Sequence, residues 1–335
     1  MEEPLVSVIL PCFNAEKYLN DAIESIVNQT YLNIEILIID DGSEDNSEAI
    51  YSTWIKKDSR IIIYKNENNI GLIKSLNKGI ELANGEFIAR MDADDISIKH
   101  RFKEQVSYLK NNHHISVLGT KAQIIDQHGK RLSRHNNTIY FNPSTLKFSS
   151  YFTQPLIHGS ILARSSVLKN NKYDLDFKYS EDFELWLRLN SKNIEIANLP
   201  FVLYLYRINP NSVSNQNNLN QVKAHNKVSK LYIEKLLNKE VKHQLIELVN
   251  NRPSEAFHFK SLKDSLSLFN EIFKYQQIIM TTELKQYIIH HSIDICLQAL
   301  KVTKGKPIMY KICLVILPFI FKKEGIKYLM KKVIK

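Results

Sequence analysis

Three carboxylates fall within four residues at Asp92-Ala93-Asp94-Asp95. They follow a short apolar run, Phe87 to Met91, so one strand end delivers them together. Like charges this close repel unless something positive sits among them. Hard divalent cations such as Mg2+ and Mn2+ take oxygen ligands and would satisfy such a cluster. An acidic turn that caps the following helix is the structural alternative, and spacing alone does not separate the two. Two more acid pairs stand elsewhere in the chain. Asp40-Asp41 precedes Gly42-Ser43, and Glu181-Asp182 precedes the periodic apolar run Phe183, Trp186, Leu187. The second pair lies at a helix N-terminus, where the dipole and free N–H groups favour acids. Capping alone explains this pair, and without further residues it is the favoured reading.

The elements that position these residues are legible in the hydrophobic pattern. Leu5 to Leu10 and Ile34 to Ile39 are short apolar, β-branched runs, hence buried strands. Between them, Leu19, Ala22, Ile23, Ile26 and Val27 repeat at the spacing of one helix face. A helix carrying Ile50 and Trp54 follows, with Ser43 or Asp45 as its cap. Ile61 to Tyr64 is a third strand. Gly71 opens a helix with Leu72, Leu76 and Ile80 on one face, and Gly85 is expected to stop it. Phe87 to Met91 is the fourth strand. This alternation predicts βαβ units: a mostly parallel sheet with helices on both faces, in an α/β fold. Ligands of such sheets bind outside the carboxyl ends of the strands. Here those ends carry Pro11 to Asn14, Asp40-Asp41, Asn66 to Asn69 and Asp92 to Asp95. No G-x-G-x-x-G and no Walker sequence is present, which excludes an ordinary dinucleotide or P-loop site.

Beyond Arg101 a helix (Phe102, Val106, Leu109) leads to strands at 116–119 and 122–126, with a hairpin turn at His128-Gly129-Lys130. His158-Gly159-Ser160 precedes another apolar strand, and Phe201 to Arg207 is a further one. Strand signals vanish after Asn209. Helices are predicted at 219–250, 254–275 and 282–301, followed by a separate basic segment.

The formal charge of +10 is unevenly placed. Lys301 to Lys335 holds ten lysines against one acid, Glu324, a net of +9 that leaves +1 for residues 1–300. Nucleic-acid binding by the body is therefore not expected. Ile312 to Phe321 is too short to span a bilayer, which takes about 20 residues. With Ile326, Leu329, Met330 and Val333 set against lysines, the segment reads as a basic amphipathic helix for an anionic membrane surface. Three scattered cysteines make neither a zinc spacing nor a disulfide framework, and the N-terminus lacks a signal-peptide pattern. A reducing, cytoplasmic setting is expected, peripheral on the inner face of the plasma membrane.

These stretches taken together are similar to family 2 glycosyltransferases of the GT-A fold. The resemblance rests on Val6 to Asn14, Gln29-Thr30-Tyr31, Ile38 to Ser43, Asn69 to Leu72, Asn84 to Ile88, Asp92 to Asp95 and Glu181-Asp182. It covers about residues 1–208 and divides the chain into a catalytic region (1–208), a helical region (209–301) and the basic tail (302–335). The resemblance implies inverting transfer of one sugar from a nucleotide-diphospho-sugar, UDP-linked by preference, to a hydroxyl of a glycan or lipid-linked acceptor. Bacterial surface-polysaccharide synthesis (O-antigen, capsule or lipooligosaccharide) is the implied setting. It further implies that Pro11, Phe13, Asn14 and Asp41 hold the nucleobase, Asp92 lies near the ribose, and Asp94 coordinates Mn2+ or Mg2+ with Asp95 as competitor. Asp182 is the implied general base, with Glu181 as neighbour or substitute. His158 and Trp186 fall on the acceptor side; Lys74 and Arg90 are candidate diphosphate contacts. The absence of Q-x-x-R-W argues against a processive synthase. A nucleotide-sugar-binding protein without transfer activity, or a nucleotidyltransferase on a related sheet, is the competing reading. The latter class has a glycine-rich loop after its first strand, and Pro11 to Lys17 contains no glycine.

Overall fold

The computed structural model describes residues 3–135, 140–208, 218–250, 259–276 and 278–302. The chain divides into two compact units. One comprises Met1–Phe141 with Pro155–Asn218; the other comprises Asn142–Gln154 and the chain from Leu219 onward.

The first unit opens with three βα repeats and a fourth strand. Strand β1 (Val6–Cys12) is followed by helix α1 (Leu19–Val27), β2 (Ile34–Asp40) by α2 (Ser47–Ile55), and β3 (Ile61–Lys65) by α3 (Leu72–Leu82). Strand β4 (Phe87–Arg90) then delivers the acids. These strands are parallel in the order β3-β2-β1-β4. Their residues are apolar almost throughout because both faces are covered, as parallel sheets require. Val8, Leu10, Ile36, Ile38 and Phe87 are fully buried, each side chain contributing about 1.5–3 kcal/mol. On α1 the predicted stripe Leu19, Ala22, Ile23 and Ile26 is the buried one. On α3 the stripe is Ser75, Leu76, Gly79 and Ile80, whereas Leu72, expected on that face, is exposed. Gly79 has its own reason: a methyl group there would come 2.5 Å from Ile9 Cγ2.

The second half of the sheet is mixed. The short β5 (Ile96–Ser97) and α4 (Arg101–Asn111) lead into β6 (Ile115–Ile125) and its hairpin partner β7 (Arg131–His135). The two strands predicted at 116–119 and 122–126 are one strand. Register shifts around Lys121 interrupt its alternation and make it read as two. After α5 (Pro143–Ser149), the 3-10 turn His158–Ser160 introduces β8 (Leu162–Arg164). Helix α6 (Ser165–Asn170), α7 (Glu181–Ser191) and the long β9 (Glu195–Arg207) complete the unit. Strand β8 is antiparallel to both β4 and β6; β9 is parallel to β6 and antiparallel to β5. Gly85 does not stop α3 by a left-handed turn. It is needed because a side chain there would strike Leu5 O and Ser7 N at 2.7 Å.

The second unit is helical: α5, Asn218–Leu237, His243–Val249, Phe259–Tyr275 and Thr282–Val302. The predicted 219–250 helix is two helices, because Asn238 adopts φ 50° and ends the first. Its core is aromatic. Phe148 meets Phe152, Phe269, Phe273 and Tyr287 edge-on, while His291 stacks between Phe269 (5.0 Å, 19°) and Tyr287 (5.2 Å, 23°). Nε2–H of His291 donates to Val249 O at 2.6 Å. The predicted basic tail lies outside the described residues. Among those described, no helix is long and apolar enough to cross a membrane.

Burial lowers the His291 imidazole to about 4, against the opposing pull of its bond to Val249 O. Unfolded, it titrates at about 6.5. Between those values the unfolded chain binds more protons, so the contribution of neutral His291 is complete above pH 6.5 and is lost as pH falls toward 4. The full loss is about 3 kcal/mol. Urea unfolding of wild type and His291→Phe from pH 7.5 to 4.5 checks this: the stability difference should shift against the wild type as pH falls, and a pH-independent difference refutes it.

Candidate active site

The carboxyl ends of β1, β2 and β3 are tied to one another before any ligand is considered. Asp40, fully buried, accepts from Tyr51 Oη (2.9 Å) and Ser43 N (3.0 Å). The β1 loop crosses to the β2 loop through Asn14 N to Ser43 Oγ (3.0 Å) and Glu44 N to Asn14 Oδ1 (2.9 Å). Asn14 takes φ 48°, a left-handed conformation that asparagine tolerates. Asp41 holds the β3 loop. Its Oδ1 accepts from Asn66 Nδ2 and Ile70 N, both at 2.9 Å, and its Oδ2 from Gly71 N at 2.8 Å. Gly71 is at φ 93° and Gly42 at φ 75°; a side chain on Gly42 would meet Asn68 C at 2.9 Å. These three loops form a floor from which Phe13 projects, 48% exposed. Lys74 is exposed on the first turn of α3.

The acidic loop is held by arginines from other elements. The Arg90 side chain at the end of β4 is 7% exposed and pairs through Nη1 with Asp92 Oδ2. Burial opposes its charge, yet the guanidinium is raised because Asp92, Tyr204 and Tyr173 surround it. Arg207, at the end of β9, donates its backbone N–H to Asp95 Oδ1 (2.7 Å) and Nε–H to Asp94 O (2.7 Å). It also reaches Asp21 Oδ2 at 3.2 Å and lies over the Tyr18 ring. Arg101, fully buried, donates Nη2–H to Arg90 O and Ile161 O, both at 2.9 Å. Burial pulls its guanidinium down to about 10. The far end of the loop is pinned by Gln29, which donates to Ile98 O (3.0 Å) and accepts from Phe102 N (3.3 Å).

This frame separates the three acids. Asp95 is buried, its carboxyl raised well above the usual range by burial, then by Asp92 and Asp94. Its Oδ2 has no hydrogen bond of ordinary geometry among the described residues, although the Tyr204 hydroxyl is close enough to pull the carboxyl down. Asp94 is partly exposed and raised to about 6, first by burial and then by Asp92. No three His, Cys, Asp or Glu side chains form a ready cation cage among the described residues. The donor set nevertheless fits a hard cation that keeps waters or phosphate oxygens as its other ligands. Of the two raised carboxyls, Asp94 is the one with open surface, and a cation there would offset the charge of Asp92 beside it.

The third acid pair faces the same place. Tyr179 at φ 73° turns the chain into α7, a conformation costly for an aromatic residue. Glu181 and Asp182 then occupy the first turn. Asp182 Oδ1 accepts from Phe183 N at 2.7 Å. Burial raises both carboxyls, Glu181 to about 7 with Asp182 as second cause. His158 Nδ1 lies 3.9 Å from Asp182 Oδ2, and His158 Nε2 is 2.6 Å from Tyr173 Oη. Burial, then the charge of Arg90, pushes His158 well below its ordinary value, so it is neutral. Trp186 has no exposed surface; it backs His158 edge-on at 6.2 Å. The next residue, Gly159, touches the other acids: a methyl there would come 2.1 Å from Tyr204 Oη and 2.7 Å from Asp92 Oδ2.

The 3-10 turn thus brings Asp92 and Asp182 to neighbouring residues of one segment. Arg90 is a buried counter-ion here rather than an open diphosphate contact, and Asp95 faces Arg207. Tyr173, Tyr204, Arg207, Arg101 and Gly159 were not predicted for the site. A polar residue closing a strand, such as Arg207, and a glycine between His158 and Ser160 were the only local signals.

The profile of Glycosyl transferase family 2 matches residues 7–171. A Haemophilus influenzae "Uncharacterized glycosyltransferase" is 33% identical over 298 residues, 86% of this chain and 91% of the relative. The chain belongs to glycosyl transferase family 2 and is a glycosyltransferase by class. The Escherichia coli UDP-Glc:alpha-D-GlcNAc-diphosphoundecaprenol beta-1,3-glucosyltransferase WfgD is 33% identical over 219 residues, 64% of this chain and 81% of that one. The S. aureus TarS 1-349 structure in complex with UDP-GlcNAc matches at TM-score 0.56 and 17% identity, covering 97% of this chain and 92% of its own. The Pyrobaculum calidifontis mannosyltransferase PcManGT, in complex with GDP-Man and Mn2+, matches at TM-score 0.55 and 12% identity, over 99% and 85%. The fold is the expected GT-A architecture.

Gly159→Ala should leave the fold intact and displace Asp92 and Tyr204. Misplacement of this size costs about 10²-fold in turnover. Circular dichroism beside donor turnover checks it; wild-type turnover in a folded variant would show that the close approach is not needed.

Proposed function

We propose that this chain transfers one sugar from a nucleotide-diphospho-sugar to an acceptor hydroxyl with inversion. The single observation that carries the reading is the convergence of Asp92 and Asp182 on His158-Gly159, beside the open carboxylate of Asp94. The donor's base would rest on the floor of Pro11, Phe13 and Asn14. A carboxylate offers about four acceptor positions; Asp41 uses three on the protein, which leaves one on Oδ2 for a base N–H. Asp92 would meet the ribose and Lys74 the diphosphate. Asp94 would hold Mn2+ or Mg2+, with Asp95 behind it. When bound, such a cation neutralises the diphosphate and polarises its oxygens.

Asp182 is the base. The acceptor oxygen bonds the anomeric carbon as its proton passes to Asp182. The bond from that carbon to the diphosphate oxygen breaks, its electron pair leaving on the nucleoside diphosphate. One carboxylate on the acceptor face suffices for this single displacement, unlike retaining hydrolysis with its nucleophilic carboxylate about 5 Å from the acid. A UDP-sugar is favoured, since WfgD is named for UDP-Glc and TarS holds UDP-GlcNAc. The WfgD acceptor named is a diphosphoundecaprenol-linked sugar. We extend that to a lipid-linked acceptor in bacterial surface-polysaccharide synthesis, at the cytoplasmic face of the membrane.

A donor screen with Mn2+ tests the reading. Turnover with a UDP-sugar, abolished in Asp94→Ala and cut by about 10² or more in Asp182→Asn with donor binding kept, is the expected result. Donor binding without turnover for any sugar would favour a binding protein instead. Removal of 302–335 should shift the protein from the membrane to the soluble fraction; unchanged fractionation refutes the membrane role of the tail.

A further inference from the structure

The base is not isolated in this structure. Behind it stands a line of three groups that the transfer reaction does not itself require. Asn77 in α3 clamps both backbone groups of Tyr173: Nδ2–H donates to Tyr173 O (2.8 Å), and Tyr173 N–H donates to Asn77 Oδ1 (2.9 Å). The Tyr173 hydroxyl, thus fixed, lies 2.6 Å from His158 Nε2. His158 Nδ1 faces Asp182 Oδ2 at 3.9 Å, an electrostatic contact that is long for a hydrogen bond. Such contacts in ligand-free sites shorten when substrate closes them. Trp186 and Tyr173 pack the imidazole, at 6.2 Å and 5.3 Å between ring centres, and restrict its rotation.

We propose that Tyr173 and His158 form a positioning relay that fixes one imidazole tautomer and aims its N–H at Asp182, keeping the base ionised. This rests on the transfer reading above. Neither residue touches the reacting atoms in the proposal; both act through Asp182.

The tautomer follows from counting hydrogens. Neutral His158 carries one N–H. Tyr173 is buried, and burial raises its phenol, so it keeps its proton. If Nε2 carried the hydrogen, its Nδ1 lone pair would face the Asp182 carboxylate and repel it. If the Tyr173 O–H donates to Nε2, the hydrogen sits on Nδ1 and points at Asp182 Oδ2. Only the second arrangement satisfies all three groups. The other charged or titratable groups around Asp182 are Glu181 on its own helix, and Arg90 and Asp92 from the β4 end. Arg90 favours the Asp182 anion, while Asp92 and burial oppose it. A donated N–H adds to the side that keeps the charge.

Two measurements test the relay on the full chain. The first is imidazole 15N–1H NMR, with the His158 signals assigned by their loss in His158→Gln. Wild type should show a Nδ1–H tautomer that does not titrate between pH 8 and 5.5, and Tyr173→Phe should lose that bias. A Nε2–H tautomer, or titration near pH 6.5, overturns the proposal. The second is the pH profile of kcat/KM with the UDP-sugar found active in the donor screen. Loss of the N–H raises the pKa of Asp182, so the acid limb should move up by about one pH unit in Tyr173→Phe and His158→Gln. A limb that stays in place while kcat falls means a merely structural role and overturns it. The NMR arm needs no turnover. An inactive wild type with the expected tautomer sinks the transfer reading alone, and the wrong tautomer in an active enzyme sinks the relay alone.

Discussion

The acids at the end of β4 and at the start of α7 answer to one buried cation. Arg90 is enclosed at the end of β4, pairs with Asp92, and acts electrostatically on Asp94, Glu181, Asp182 and His158. A guanidinium taken out of water costs several kcal/mol unless anions compensate it. The acids have the mirror problem: a like-charge pair about 4 Å apart costs about 4 kcal/mol at an effective dielectric of about 20. Each makes the other tolerable, and neither could be built alone. The compensation is incomplete, because five carboxyl groups share the region with Arg90 and the more distant Arg207 and Arg101. Burial first, and then the neighbouring acids, leave the carboxyls of Asp94, Asp95, Glu181 and Asp182 raised.

Such a cluster needs a rigid frame, and the frame explains why so many polar side chains are buried without being chemical. Gln29 spends its amide on the Ser97 to Phe102 backbone. Ser7 donates to Glu35 and accepts from Gly85 N. Arg101 lies on two carbonyls and Arg207 on a third. Each satisfies a backbone group at the entry to β4 or around the acidic loop that would otherwise be left unpaired, which would cost about 1–3 kcal/mol. Part of what makes the chain resemble its family, such as Gln29-Thr30-Tyr31 and Asn84-Gly85, is therefore scaffold for the acids rather than contact with substrate.

The division between what was legible and what was not follows sequence distance. Strands β1 to β4, the stripe on α1, the acidic loop and the placement of Glu181-Asp182 at a helix start all arise from local periodicity. The partnership of β6 with β9, and of Arg207 with acids more than a hundred residues earlier, has no local signature. Gly159 is silent for another reason. Its requirement comes from Tyr204 and Asp92, which reach it from two other elements. His158 was legible as a residue but not as a group held between Tyr173 and Asp182, because the holder is Asn77 on α3. The aromatic core of the second unit escaped similarly: α5 is only Pro143–Ser149, and its Phe148 gains meaning from helices far along the chain.

The charge arrangement also constrains how a nucleotide donor enters. Its base can settle on the floor around Phe13, where the nearest carboxylate, Asp41, is already engaged by loop N–H groups. In the proposed pose its diphosphate would then come toward Asp92 and Asp94. The arginines there are buried and occupied by the protein's own oxygens, and Lys74 is a solvated point charge. This surface would repel a bare diphosphate more than one that arrives with a divalent cation, and such a cation would offset the charge of Asp92 that adds to burial in raising Asp94. One cation bound there would serve ligand and protein at once. The proposed base would stand outside that exchange. The His158-Gly159 turn lies between Asp182 and Asp92, and burial raises the Asp182 carboxyl while the Phe183 N–H and Arg90 lower it. Neutralising the diphosphate therefore need not neutralise the base, which is the separation a single displacement requires.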